Sequence, residues 1–324
     1  MTDRSQTPSP AGTELGDPRS LDQLNAEQRA RAAFFDGAAD FAEVLGIETR
    51  DGFFFCRSTD LGVGRKLFIQ EGRPEMRLLV RAMAVLKTLG LSEQALAGTF
   101  IDVGANIGTS TITAVRRCGF PNAVACEPEP YNCWLLRLNV LANRAEDCVR
   151  ILPAAVSDAR GEIDLLVHPV KSGGHEVYSR AKAKRMTKKA EARRGSRPKT
   201  TPVETVTIDW MIEQSLVPDA PAGLLWMDAQ GHEGHVLAGA QKLTGHGVPI
   251  ILEVAPTFLE RQGGLGMLVD AATHSYTHLV HIRPSHQART SEELLEPITT
   301  IEEVIEGLAA TRKITDLMLL RLAP

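Results

Sequence analysis

The chain has 324 residues, 43% of them hydrophobic and 23% charged, with 27 glycines, 18 prolines and five cysteines. This is globular composition, which excludes collagen-like repeats, disulfide scaffolds and wholesale disorder; at about 100–200 residues per domain it allows one large α/β domain with additions, or two domains. A formal net charge of −4 gives no global case for nucleic acid, but the span Lys171 to Lys199 alone carries a net +9 and leaves −13 for the remainder.

Residues 1–20 are rich in Pro, Ser, Thr and Gly, lack the basic start and apolar run of a signal peptide, and read as a disordered tail. Leu21 to Leu45 has helical spacing, with Phe34, Phe35 and Phe41 on its apolar side. Phe53–Cys56 and Lys66–Ile69 read as short strands around a Gly-containing turn, and Pro74 opens a helix to about Leu89. Residues 21–96 thus form an N-terminal helical and β extension, ahead of a larger domain over 97–324.

From Thr99 strand and helix alternate. Strands are predicted at Thr99–Val103, Ala123–Cys126, Val149–Leu152, Ile163–Val167, Val203–Thr207, Leu224–Met227, Pro249–Val254, Tyr276–Ile282 and Leu317–Leu322. Helices are predicted at Ile107–Cys118, Pro130–Ala142, Ile208–Gln214, Glu233–Leu243 and Ser291–Leu308. Leu224–Met227 and Pro249–Val254 are apolar throughout, as strands buried on both faces of a parallel sheet are. The alternation implies an α/β fold with a doubly wound, mostly parallel sheet, whose ligands bind at the carboxyl ends of the strands.

The five cysteines form no C-x-x-C pair of the kind zinc and redox sites use, and no apolar stretch approaches the roughly 18 residues of a membrane span. Reduced thiols in a soluble, cytoplasmic protein without a membrane partner are the expectation. Oligomeric state is not legible.

The segment FIDVGANIGTS sets Asp102 at the end of a strand, Gly104 and Gly108 in a turn, and a helix start directly after. Glycine lets the backbone approach a ligand and accepts positive φ without steric cost, while a helix start offers free N–H groups. Glu127 then ends the second strand, where a carboxylate can accept from both hydroxyls of a ribose. These features alone suit either NAD or S-adenosylmethionine (SAM), and they also suit a ligand-free turn with Asp102 as a helix cap. The spacing G-x-x-x-G lacks the third glycine of dinucleotide sites, which favours SAM.

With these residues the chain resembles a known family. DVGANIGTSTI, CEPEPYNCWLLRLNVLAN, AAVSDARGEIDL, TVTIDWM, MDAQGHEGHVLAGAQKL and PIILEVAP, in that order, look like the successive motifs of the FkbM-type methyltransferases, a branch of the class I SAM-dependent enzymes. The resemblance covers about Glu75 to Val254, with a weaker tail like the family's closing β-hairpin. It implies a seven-stranded Rossmann-like sheet, SAM as cofactor with S-adenosylhomocysteine as product, and cofactor contacts from Asp102, Gly104, Asn106, Gly108, Glu127 and Asp158. Glu75, in GRPEM, resembles a family Glu before the first core helix. One departure stands out: where the family commonly reads D-x-E-G-x-E, this chain has Gln230 in Asp228-Ala229-Gln230-Gly231-His232-Glu233. A Gln is neither a base nor a hard-metal ligand, so the role of that family Glu is in doubt here.

Methyl transfer needs alignment, exclusion of water, and removal of a proton when the acceptor is an alcohol. Asp228 ends an apolar strand, where burial would raise its pKa and make it a better base; it can equally cap the next helix. His232 and His235, three apart in GHEGH, share a helical face and offer a second base. Their spacing is not the i, i+4 of zinc-binding H-E-x-x-H, so a divalent metal is the weaker expectation. Glu253, in PIILEVAP, is read either as a carboxylate facing the cleft or as half of a structural ion pair.

The basic insertion over 170–200 reads as a solvated loop, or as a lid over an anionic acceptor, with Ala181–Arg194 helical by propensity. Its only aromatic is Tyr178, a poor stacking platform for single strands, so nucleic acid is not the favoured partner. The expected activity is O-methylation of a hydroxyl on a sugar or secondary metabolite. The alternatives are an RNA or protein methyltransferase using the basic insertion, and a non-catalytic SAM-binding module.

Overall fold

The structure, a computed structural model, describes residues 24–178, 200–217, 223–282 and 295–322. The expected tail 1–20, the start of the first helix at 21–23, the bulk of the basic insertion with Ala181–Arg194, and residues 291–294 of the expected last helix lie outside the described residues.

The N-terminal extension comprises α1 (Ala26–Ala38), β1 (Val44–Thr49), β2 (Gly52–Arg57), α2 (Val63–Gln70), α3 (Pro74–Thr88) and α4 (Ser92–Leu96). Asn25 caps α1 through a reciprocal bond with Gln28. The helix ends well before the expected Leu45, because Val44–Thr49 pairs antiparallel with Gly52–Arg57. The segment Lys66–Ile69, expected as a strand, is helical. Asp60 accepts the N–H groups of Gly62 and Gly64, both at 2.9 Å, and so holds the entry turn, while Val63 and Leu67 bury the same face one turn apart.

The catalytic-type core follows as β3 (Thr99–Val103), α5 (Thr109–Thr113) with a π-helical turn over Ala114–Cys118, β4 (Asn122–Cys126), α6 (Pro130–Ala142), β5 (Val149–Leu152), β6 (Ala155–Val156), β7 (Gly161–Leu166), β8 (Glu176–Tyr178), β9 (Thr200–Val206), α7 (Ile208–Glu213), β10 (Leu224–Met227), α8 (Glu233–Ala238), α9 (Gln241–Gly245), β11 (Ile250–Val254), α10 (Pro256–Gln262), α11 (Leu265–Ser275), β12 (His278–His281), β13 (Leu295–Pro297), α12 (Ile301–Thr311) and β14 (Thr315–Leu320). The main sheet has the order β13-β12-β14-β11-β10-β3-β4-β5. β11, β10, β3, β4 and β5 run parallel, and β14 enters antiparallel between β11 and β12. Apolar clusters fill both faces of this sheet, so β10 is buried along its whole length; each such large side chain contributes about 1.5–3 kcal/mol.

Three expectations are corrected here. The sheet has eight strands among the described residues, not seven: Leu295–Pro297, predicted as helix, pairs with β12, since Pro297 is tolerated on an edge strand and not in a helix interior. The strands at Ile163–Val167 and Val203–Thr207 do not join the main sheet but form a separate four-stranded one, β6-β9-β7-β8. Their sequences, GEIDLL and TTPVETV, alternate charged with apolar residues and leave one face partly wet, which a strand of the buried sheet cannot do. The helix expected over Glu233–Leu243 breaks into α8 and α9. Gly239 packs where a Cβ would stand 2.2 Å from the Ser157 carbonyl, and Asp209 accepts from the backbone N–H groups of Gln241 and Lys242.

The extension is tied to the core through two asparagines four residues apart, Asn139 on α6 and Asn143 at its C-terminal cap. Asn139 bonds both backbone groups of Phe55 and the carbonyl of Ile107; Asn143 bonds both backbone groups of Phe53. These side chains satisfy the outer edge of β2 as a further strand would.

Candidate functional site

A cleft opens at the carboxyl ends of β3, β4 and β10. Its floor is the β3–α5 turn. Gly104 and Asn106 take positive φ, 82° and 54°, and the N–H groups of Gly104 and Ala105 both reach the carbonyl of Cys126 at the end of β4. A Cβ on Gly104 would lie 2.1 Å from the carbonyl oxygen of Asp228, so only glycine allows this contact between β3 and β10. Gly108, at φ 90°, starts α5 and packs against Leu136 below the cleft.

Glu127 follows β4 on the cleft wall. Its carboxylate accepts from the backbone N–H groups of Asn106 and Glu129, both at 2.8 Å, yet burial outweighs these bonds and pushes its pKa up to about 8. Asp102 is placed differently from the expectation. It is fully buried beneath the turn and does not line the cleft; one oxygen accepts from the hydroxyls of Ser110 and Thr111, and the other has no hydrogen-bond partner among the described residues. It holds the turn from below.

Asp228 follows β10 on the opposite side of Gly104 from Glu127. Burial, with Glu75 adding repulsion, raises it to about 6, while Gln230 donates to it at 2.8 Å and opposes the rise. Gln230 sits at φ 52° and Gly231 at φ 93°. This left-handed pair turns the chain back so that the Gln230 amide faces the Asp228 carboxylate. Behind it Glu233, 1% exposed, accepts from the N–H groups of Ala229 and Gly231 and is raised to about 7 by burial.

Glu75 lines the cleft beside Asp228, paired with Arg73. His232 also lines it, and its ring stacks on His235 with centroids 4.3 Å apart, as the three-residue spacing implies. Its Nε2 meets the hydroxyl of Ser157 at 2.9 Å, and that hydroxyl donates to Asp158. His232 therefore donates through Nε2. Asp158 joins this histidine cluster, 3.5 Å from His235 Nδ1, and does not line the cleft. Glu253 lies on β11 opposite Asp316 of β14, also outside the lining.

Sequence reasoning passed over Arg73 and Trp226, both on the cleft wall, and took Ser172, Gly173 and His175 only as part of an insertion read as a loop or a lid; these three also line the cleft. They are brought there by Asp60, which accepts from the Ser172 N–H and hydroxyl at 3.1 and 2.6 Å. No local pattern announces a contact 112 residues apart. Among the described residues no cluster of three His, Cys, Asp or Glu could hold a metal, and no helix is long and apolar enough to cross a membrane.

A doubly wound sheet with an antiparallel closing strand, a glycine turn after its first core strand and an acid after the second is the architecture of the class I methyltransferase fold. Residues 102–290 match the family model of the methyltransferase FkbM domain. The chain belongs to the FkbM methyltransferase family, and SAM is its cofactor. Among solved structures it is similar to the methyltransferase FkbM of Methylobacillus flagellatus KT, at 15% identity over 68% of this chain, with a TM-score of 0.38. The chain spans only 43% of that protein. It is also similar to M. jannaschii TYW2 in complex with AdoMet, at 11% identity over 86% of this chain and 87% of that one, with a TM-score of 0.38. A third similarity is to the O-methyltransferase from Bacillus cereus in complex with SAH, at 12% identity over 77% and 91%, with a TM-score of 0.32. No curated protein matches the chain.

Proposed function

We propose that this protein methylates a hydroxyl of a small molecule, a sugar or secondary metabolite, with Asp228 as the base. The observation that carries the reading is the placement of Asp228: a half-buried carboxylate, raised to about 6, on the cleft wall next to the Gly104 turn. A carboxylate so tuned is ionised at neutral pH and still basic enough to take a proton.

The cleft fits the cofactor. Glu127 is a nearly buried acid whose ionisation is penalised, and two ribose hydroxyls donating to it would relieve that penalty. The Gly104–Asn106 turn gives close backbone approach, and Glu75 lines the cleft near Asp228. The cofactor, when bound, supplies a methyl group on a sulfonium that leaves as a neutral thioether. Asp228 accepts the acceptor's hydroxyl proton as the oxygen forms its new bond to carbon. Gln230 fixes the orientation of the Asp228 carboxylate, and Trp226 and Val103 keep that end of the cleft apolar and exclude water. His232 borders the acceptor side as a positioning group, since its Nε2 is committed to Ser157. The basic span Lys171 to Lys199 supports an anionic acceptor.

Incubation with methyl-labelled SAM and cell extract, fractionated into small molecules, RNA and protein, tests this. Label is expected in the small-molecule fraction, dependent on Asp228; label in RNA or protein would replace the reading.

A further inference from the structure

Arg73 stands on the cleft wall with most of its hydrogen-bonding capacity unspent. It precedes α3, its side chain is only 14% exposed, and it binds Glu75 edge-on: Nε donates to Oε2 at 2.9 Å and Nη2 to Oε1. A guanidinium has five N–H donors in a planar fork. The pair with Glu75 uses two. The remaining edge, the parallel N–H groups of Nη1 and Nη2, has no acceptor among the described residues. That edge has the geometry for a second, bidentate carboxylate.

The surroundings narrow the ligand further. Besides Glu75, both Asp228 and Asp60 are close enough to act on the Arg73 charge. A bare anion entering here would meet three carboxylates sharing one cation. A zwitterion brings its own compensation: its carboxylate takes the open edge of Arg73, and its ammonium faces Glu75 and Asp228. An α-amino acid group is such a ligand.

Sheet order says which molecule carries it. β10, β3 and β4 are neighbours, so Asp228, Gly104 and Glu127 follow one another along the carboxyl edge. A nucleoside held at Glu127 and extending over Gly104 ends beside Asp228, where Arg73 and Glu75 stand. We propose that Arg73, held side-on by Glu75, clamps the α-carboxylate of the cofactor's amino-acid end. This rests on the cleft being the cofactor site.

The test is calorimetric binding to the full chain, comparing S-adenosylhomocysteine with its decarboxylated analogue, which keeps the ammonium and lacks only the carboxylate. Wild type is expected to bind the intact ligand at least tenfold more tightly. In Arg73→Met that preference should collapse to within twofold, through loss of affinity for the intact ligand alone. Arg73→Lys, which keeps the charge without the fork, should keep only part of the preference and serves where the Met variant does not fold. Equal affinity of wild type for the two ligands, or an undiminished preference in the variants, overturns the clamp. If wild type binds neither ligand, the cofactor-site reading itself fails; binding of both with no effect of Arg73 removes only the clamp.

Discussion

Cofactor binding should expel a proton from Glu127. Burial holds this carboxyl at about 8 in the ligand-free protein, against an ordinary value of 4.5, so at pH 7 about nine molecules in ten carry the proton. With one backbone N–H already on each oxygen, Glu127 can accept two ribose hydroxyls as well only in its ionised form. Binding at pH 7 is therefore expected to release about 0.9 proton. Because only the ionised form binds, apparent affinity should rise about 50-fold from pH 6 to pH 8 and then level off. Calorimetry with S-adenosylhomocysteine in buffers of different ionisation enthalpy measures the release directly. Glu127→Gln should flatten the pH dependence, which separates Glu127 from Asp228 and Glu233, titrating at about 6 and about 7. Stability carries the same sign: between about 4.5 and about 8 the folded state holds a proton that the unfolded chain has lost, so the ligand-free protein loses stability as pH rises across that window. Buffer-independent enthalpies and a flat affinity profile in wild type would refute both the proton release and the placement of the ribose at Glu127.

Three further outcomes are expected. Asp228→Asn should lower methyl transfer by about 10²–10⁴ at saturating cofactor, and the wild-type rate should fall tenfold per pH unit below about 6; Gln230→Glu, replacing a donor 2.8 Å from Asp228 with a second carboxylate, should move that limb to higher pH. Gly104→Ala places a Cβ 2.1 Å from the Asp228 carbonyl at φ 82°, and should abolish S-adenosylhomocysteine binding in calorimetry, with a melting temperature below that of wild type. Asn139→Leu keeps the volume but strips hydrogen bonds from both backbone groups of Phe55 and from the Ile107 carbonyl. At about 1 kcal/mol or more per group left unpaired, about 3 kcal/mol should be lost in urea unfolding.

The sequence by itself determined the class of fold and the two ends of the glycine turn after β3. Apolar runs such as LLWM and PIILEV read as buried strands, and Gly104 and Gly108 carry their positive φ in residue type and spacing, because backbone conformation is settled within a few residues. Helix and strand boundaries were legible where a proline marks them, as at Pro130, and were misread at Gly239, which packs on the distant Ser157 carbonyl, and in the helix after Asp60, whose carboxylate holds the turn at Gly62 and Gly64. Tertiary structure alone decided which polar residues meet. It sank Asp102 beneath the turn, gave Asp158 to the histidine pair, set Glu253 against Asp316, and brought Arg73 and Ser172 to the cleft wall. Burial and pairing of charges depend on partners tens to hundreds of residues away, and spacing along one chain does not encode them.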